Sequence, residues 1–217
     1  METAKLKAFA PEARRKLHEQ VGAKLDYVLS ADSPDLREKA AQVEAIRKAS
    51  ESEGREVFIE RIAYTWFNRL SALRYLDARA FHSFNCRVMT PEPGNVQPEI
   101  LQLARNGALP SEIPADLTRI NDLLDGRIPS NNPQAEVYRH LVLAVCAHYH
   151  ELLPFLFEEL DDETELLLPD DLLTPTSVAE GFRTEISDED CADIEIIGWL
   201  YQFYISEKKD QVIGSVV

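Results

Sequence analysis

Runs of apolar residues long enough to cross a membrane are missing from this 217-residue sequence; a spanning helix would need roughly 18–20 in succession. Glycine is scarce, at 8 residues. No G-x-x-x-x-G-K-[ST] or G-x-G-x-x-G string occurs, which excludes the common glycine-rich phosphate cradles. The motifs G-x-S-x-G and H-E-x-x-H are missing as well, which removes two familiar hydrolase classes. There are only three cysteines, Cys86, Cys146 and Cys191, far apart and with no C-x-x-C. That excludes a disulfide framework and a zinc ribbon, and points to reduced thiols in a cytoplasmic protein. The opening Met1-Glu-Thr-Ala-Lys-Leu-Lys has no apolar stretch behind it, so a secretory signal is not expected.

What is present suits a folded helical protein. Hydrophobic residues make up 45% and charged residues 28% of the chain, which argues against wholesale disorder. Leu, Ala and Glu are abundant, and all favour helix. The formal net charge of −15 is local in origin. Residues 151–195 hold 16 of the 38 acids and one base, Arg183, leaving 22 acids and 22 bases elsewhere. Non-specific DNA affinity comes from neutralising phosphates, so this window cannot serve as a cationic DNA surface. Solvated loops and helix starts are its plainest reading. A surface that repels DNA or docks a basic partner is the sharper one.

Along the chain, Leu6, Phe9, Ala13, Leu17, Val21, Leu25 and Val28 mark one face of a helix over 4–29, with Pro11 and Gly22 as weak points. Ser33-Pro34 opens a second helix that should run to Gly54. Arg55–Phe81 gives the clearest pattern, with Phe58, Ile59, Ile62, Trp66, Leu70 and Leu73 on a broad apolar face. Residues 82–97 read as an irregular loop with a short extended stretch at Arg87-Val-Met. Helices are expected over 98–106, 114–125 and 133–153. Another should follow the Thr174-Pro175 cap, and a last one should open at Ser187-Asp-Glu-Asp and continue past Tyr204. The fold class is therefore all-α, a multi-helix domain with little or no sheet. Residues 1–54 form an N-terminal helical pair and residues 55–217 the main helical domain, packed as one helical region.

Chemistry is hard to find. Cys146 and His150 lie at i, i+4 on one helix face, but two ligands do not make a structural zinc, and a buried thiol is the simpler reading. Cys86 has no base at a defined spacing and is rejected as a nucleophile. Neither the [DNS]-P-P-[YFW] tetrapeptide of amino-methylating DNA enzymes nor a glycine-bearing cofactor loop after a strand is present. No catalytic, cofactor or metal residue is assigned. Opposite the apolar stripe of 55–81 lie Arg61, Tyr64, Asn68, Tyr75 and Arg79. Cations interleaved with aromatics can contact nucleic acid, so Arg61, Tyr64, Asn68 and Arg79 are candidate nucleic-acid or partner contacts. The same residues can equally snorkel or pair with acids. On the last helix, Ile194, Ile197, Tyr201 and Tyr204 form one stripe and Ile196, Trp199, Leu200 and Phe203 another. A helix apolar on both sides suggests an inter-domain contact, with Trp199 or Phe203 partly exposed.

Three strings resemble a known family. FIERIAYTWFNRLSALRYL from Phe58 to Leu76, HELLPFLFEELDDETELLLPDDLL from His150 to Leu173, and EIIGWLYQFYISEKKD from Glu195 to Asp210 are similar, in that order, to the start of PglX. This is the adenine-specific methyltransferase family of BREX (bacteriophage exclusion) systems. The resemblance implies a larger parent in which a helical N-terminal region precedes an S-adenosylmethionine-dependent methyltransferase domain. That parent would methylate adenine N6, mark host DNA and act with other BREX proteins in phage defence. It implies that this chain stops before the catalytic motifs, needs no cofactor itself, and has the remainder of its own methyltransferase as partner. DNA would be met through the full-length protein, and no membrane is involved. A free-standing acidic helical adaptor or DNA mimic is the alternative.

Overall fold

The computed structural model describes residues 3–154, 156–157 and 162–214, and no strand occurs among them. The first helix, α1 (Thr3–Ser30), buries Leu6, Phe9, Ala13, Leu17, Val21, Leu25 and Val28 along one line. Pro11 lies within it, two turns in, where it removes the bond to the Lys7 carbonyl and sets its ring against that carbonyl, yet the helix continues through it. The single helix expected from Pro34 to Gly54 is two. In α2 (Pro34–Glu38), the Ser33 hydroxyl accepts from the Leu36 amide at 3.3 Å. The chain breaks at Lys39, whose ammonium is drawn to Glu165 at 2.7 Å, and resumes as α3 (Ala40–Glu53).

The central element is α4 (Arg55–Arg79). It buries 14 of its residues, too many for one stripe, because α1, α3, α8, α9 and α10 surround it. Its end is closed by Ala80 in the left-handed region at φ 51°, while the Phe81 amide bonds the Leu76 carbonyl at 3.0 Å. A second group is made of α5 (Glu99–Arg105), α6 (Leu117–Leu124, capped by Asp116) and α7 (Pro133–Leu152, capped by Asn132). The short α8 (Asp162–Leu166) follows. Then α9 (Val178–Glu185) begins later than Thr174-Pro175 suggests, because the capping side chain is Ser177. The Thr174 hydroxyl is occupied by Asp171. The last expected helix is also divided. Ser187 and Asp190 bond each other reciprocally around a 3-10 turn, Asp190–Ala192, and α10 (Glu195–Gly214) starts afresh behind Asp193.

Ion pairs Arg14–Glu60 and Arg55–Asp26 set α1 and α4 antiparallel, and α10 lies along both. Buried Tyr204 seats it, with ring centroids 4.6 Å from Phe67 and 5.3 Å from Tyr64 and the Arg14 guanidinium 5.5 Å over its own ring. Phe182 brings α9 into the same cluster, 5.0 Å from Phe9 and 5.2 Å from Phe67. One buried cluster runs from Leu6 to Tyr204, so α1 and α3 share their core with the helices after residue 55. Among the described residues no helix is long and apolar enough to cross a membrane.

Candidate functional site on α4 and α10

The densest polar arrangement sits where α4 ends. Asp77 is buried, and its carboxylate accepts from the amides of Val88 (2.7 Å), Met89 (2.8 Å) and Thr90 (2.7 Å) and from the Thr90 hydroxyl (2.8 Å). His82 joins it, with Nε2 2.7 Å from Asp77 Oδ1 and Nδ1 2.8 Å from the Tyr149 hydroxyl. The imidazole stacks on Phe84, centroids 5.0 Å apart. Burial pushes the Tyr149 phenol up. The stretch Arg87-Val-Met, expected to be extended, bends instead at Val88 and Met89: the amides of residues 88–90 turn together onto the Asp77 carboxylate, and the Arg87 amide donates to Glu99. This knot fastens the loop of residues 81–98 to α4 and α7. His82 and Asp77 are both buried, and their bonds hold the loop in place.

The four α4 candidates are not brought together. Arg61 bonds Glu53 (2.7 Å) and Glu163 (2.6 Å), and its guanidinium lies 5.1 Å over the Phe58 ring. Tyr64 packs half-buried against Tyr201 and Tyr204 of α10. Asn68 is half-buried one turn further on. Arg79, at the far end, is exposed and stacks 5.5 Å over Phe81, which is itself 56% exposed. Tyr75 meets Phe81 edge-on at 6.3 Å. Arg61 and Tyr64 are thus engaged within the chain, whereas Arg79 presents a cation to solvent.

The acidic window finds its basic partner inside the molecule. Glu163 meets Arg61 of α4, Glu165 meets Lys39 between α2 and α3, and Asp170 meets Lys24 of α1 at 2.5 Å. Arg139 of α7 donates to the carbonyls of Glu165 and Leu168, and the Trp66 indole donates to the Thr164 carbonyl at 3.0 Å. Burial lowers the Lys24 pKa against the opposing pull of Asp170. Further along, Asp188 holds Arg74 and Glu180 holds Arg183, while Asp171, Asp190 and Asp193 cap local turns. Residues 158–161 of the window lie outside the described residues.

On α10 the buried line is Ile196, Leu200 and Tyr204, which draws on both stripes read from the sequence. Trp199 and Phe203 flank it, half-buried and stacked on each other at 5.9 Å and 25°. On the opposite flank Tyr201 is 44% exposed and Ile194 55%.

Elsewhere, Cys146 is buried and its thiol is pushed up to about 12 by burial, while His150 Nδ1 contacts the Phe157 carbonyl at 2.9 Å. Among the described residues no three His, Cys, Asp or Glu side chains gather as a metal site. A cleft of about 260 Å³ lies between the 81–98 loop and α9, with Met89, Pro98, Tyr138 and Leu172 below and Gln134 and Arg183 at its mouth. The positive-φ glycines among the described residues, Gly54, Gly94, Gly107 and Gly126, stand at helix ends or in a turn, each facing open space.

No family model matches the chain. The adenine-specific methyltransferase BrxX of Escherichia coli O9:H4 (strain HS) is 37% identical over 243 aligned residues, which take in 100% of this chain and 19% of BrxX. The adenine-specific methyltransferase PglX of Lacticaseibacillus casei (strain Zhang) is 29% identical over 255 aligned residues, covering 97% of this chain and 20% of PglX. The chain thus spans about one fifth of the length of the curated relatives it matches. It belongs to the family of the BrxX and PglX adenine-specific methyltransferases, of which it represents a helical region.

Proposed function

We propose that this chain is the N-terminal, non-catalytic helical domain of a BREX-type DNA adenine methyltransferase. The observation that carries the reading is the match along the whole chain to only about one fifth of each relative. The missing base-holding tetrapeptide and the lack of a cofactor loop support it. The parent methylates adenine N6 with S-adenosylmethionine in the cytoplasm, marks host DNA and acts with other BREX proteins in phage defence. This domain supports the rest of that polypeptide, and Trp199 and Phe203 belong to its inter-domain surface. Of the α4 candidates, Arg79 is the one positioned for a phosphate or an acidic partner. The DNA-mimic alternative loses support, because mimicry needs free carboxylates and Glu163, Glu165, Asp170, Glu180 and Asp188 are already paired.

The test is methyl transfer from labelled cofactor to plasmid DNA, by this chain and by a full-length enzyme carrying it. Transfer is expected from the full-length enzyme alone. Transfer by the 217-residue chain, or none by the full-length enzyme on unmethylated plasmid DNA, overturns the reading.

A further inference from the structure

The side of α10 turned away from its buried line carries Gly198, Tyr201 and Ile205, spaced three and four residues apart, and Ile194 stands in the turn just before the helix. That spacing keeps the three helical residues on one face through two turns. Ile194 is 55% exposed and Tyr201 44% exposed, while Ile205 is half-buried and has one side packed against the core. Gly198 stands between them, exposed, and a Cβ built there meets nothing within 4 Å. Glycine weakens a helix interior relative to alanine, and no contact within this chain requires one at 198. A small residue between large apolar ones is the surface against which a second helix approaches closely. Tyr201 is already steadied from behind by the edge of Tyr64, ring centroids 6.0 Å apart, so the face is preformed.

We infer that this stripe, which is distinct from the Trp199–Phe203 flank, seats an apolar helix from another part of the same methyltransferase polypeptide. The inference rests on the methyltransferase reading above. Interface size decides between the possible occupants. Three side chains around one glycine fall well short of the about 800 Å² per partner that a standard free-standing interface buries. A second copy of this chain, or an independent protein, would not be held by so small a contact. A helix on the same polypeptide arrives at an effective concentration near the millimolar range, and for it a small contact suffices. The relatives supply such a polypeptide, since about four fifths of their length lies outside the match.

The experiment places a reporter thiol in the stripe as Tyr201→Cys and, separately, Ile194→Cys. Each is made in the 217-residue chain and in the full-length enzyme. Cys86, Cys146 and Cys191 are buried and stay slow toward a maleimide. Both reporters should label rapidly in the 217-residue chain, which should be monomeric by light scattering. In the full-length enzyme they should label at least about tenfold more slowly, the factor that a tenfold-favoured closed state imposes. Equal rates in the two proteins overturn the inference. So does protection within a dimer of the 217-residue chain, since the occupant is then a second copy. Methyl transfer by the same full-length preparation, measured alongside, judges the methyltransferase reading separately.

Discussion

Replacing Asp77 with asparagine removes one acceptor oxygen from the knot at the end of α4 and puts a donor in its place. Two orientations of the amide are possible. If the NH₂ replaces Oδ2, it faces the Met89 and Thr90 amides and the Thr90 hydroxyl; the hydroxyl can turn to accept, but two backbone donors are stranded. If it replaces Oδ1, it faces His82 Nε2 and the Val88 amide. His82 can then shift its proton to Nδ1, donate to Tyr149 and accept from the new amide, which strands Val88 alone. The second arrangement is the cheaper. One stranded buried amide costs about 1–3 kcal/mol, and the remaining bonds lose their charge assistance, so the total should be about 3 kcal/mol. Asp77→Ala leaves every donor without its acceptor and should cost more, about 4–5 kcal/mol. Guanidinium unfolding followed by tryptophan fluorescence measures both through a lower midpoint at unchanged slope. Hydrogen exchange should quicken at residues 88–90 first. A loss below about 1 kcal/mol for Asp77→Asn, or equal losses for the two variants, would refute the reasoning, because either result means the five bonds are not holding the loop.

His140, through Nε2, accepts from Arg119 Nε at 3.1 Å, and burial, then Arg119, lowers its pKa to about 4. The unfolded chain therefore binds the extra proton first, and stability is lost as pH falls below the unfolded value near 6.5. Between pH 7 and pH 5 the wild type should lose about 2 kcal/mol more than His140→Gln, which keeps an acceptor but cannot titrate; parallel pH profiles of urea stability would contradict this. Arg61→Ala should cost about 1 kcal/mol of stability through its two partly exposed ion pairs and leave DNA retention unchanged. Arg79→Ala should do the reverse, with stability within about 0.5 kcal/mol of wild type and weaker retention in a low-salt mobility shift. DNA binding by the chain should be weak and fade steeply with salt; tight binding that ignores salt would mean the surface charge has been misjudged.

The helices were legible wherever apolar spacing and capping residues agreed, as at Asn132-Pro133 and along Leu6 to Val28. Breaks were missed where a distant partner intervened. The break at Lys39 has no Gly or Pro to mark it, and the Lys39 ammonium reaches Glu165, 126 residues away, which no local pattern records. Thr174 and Ser177 are equally good capping residues by type, and the nearby Asp171 decides between them. The Asp77 knot left one trace in the sequence. An acid in the last turn of a helix opposes the macrodipole, by about 0.3–1 kcal/mol, and so signals that its carboxylate is needed elsewhere. The face opposite the α4 stripe looked solvent-facing because helical periodicity shows which residues are apolar, not how many helices will cover them. Tyr64 is apolar enough to be covered, and α10 covers it.

The docking of the acidic segment also sets an order of events during synthesis. Residues 1–150 contain 20 bases and 20 acids. Within them Lys24 and Lys39 wait for carboxylates, and Arg139 for carbonyls, that lie beyond residue 162, while Arg61 already has Glu53. While the ribosome has not yet delivered Glu165 and Asp170, the emerging chain leaves Lys24, Lys39 and Arg139 without these partners, and the Trp66 indole without the Thr164 carbonyl. A nascent chain in that state should hold polyanions more tightly than the complete chain does. Stalled chains ending near residue 150 should therefore hold to heparin at salt concentrations that release the complete chain, and equal elution would show that the cations are already neutralised by neighbours before the segment arrives.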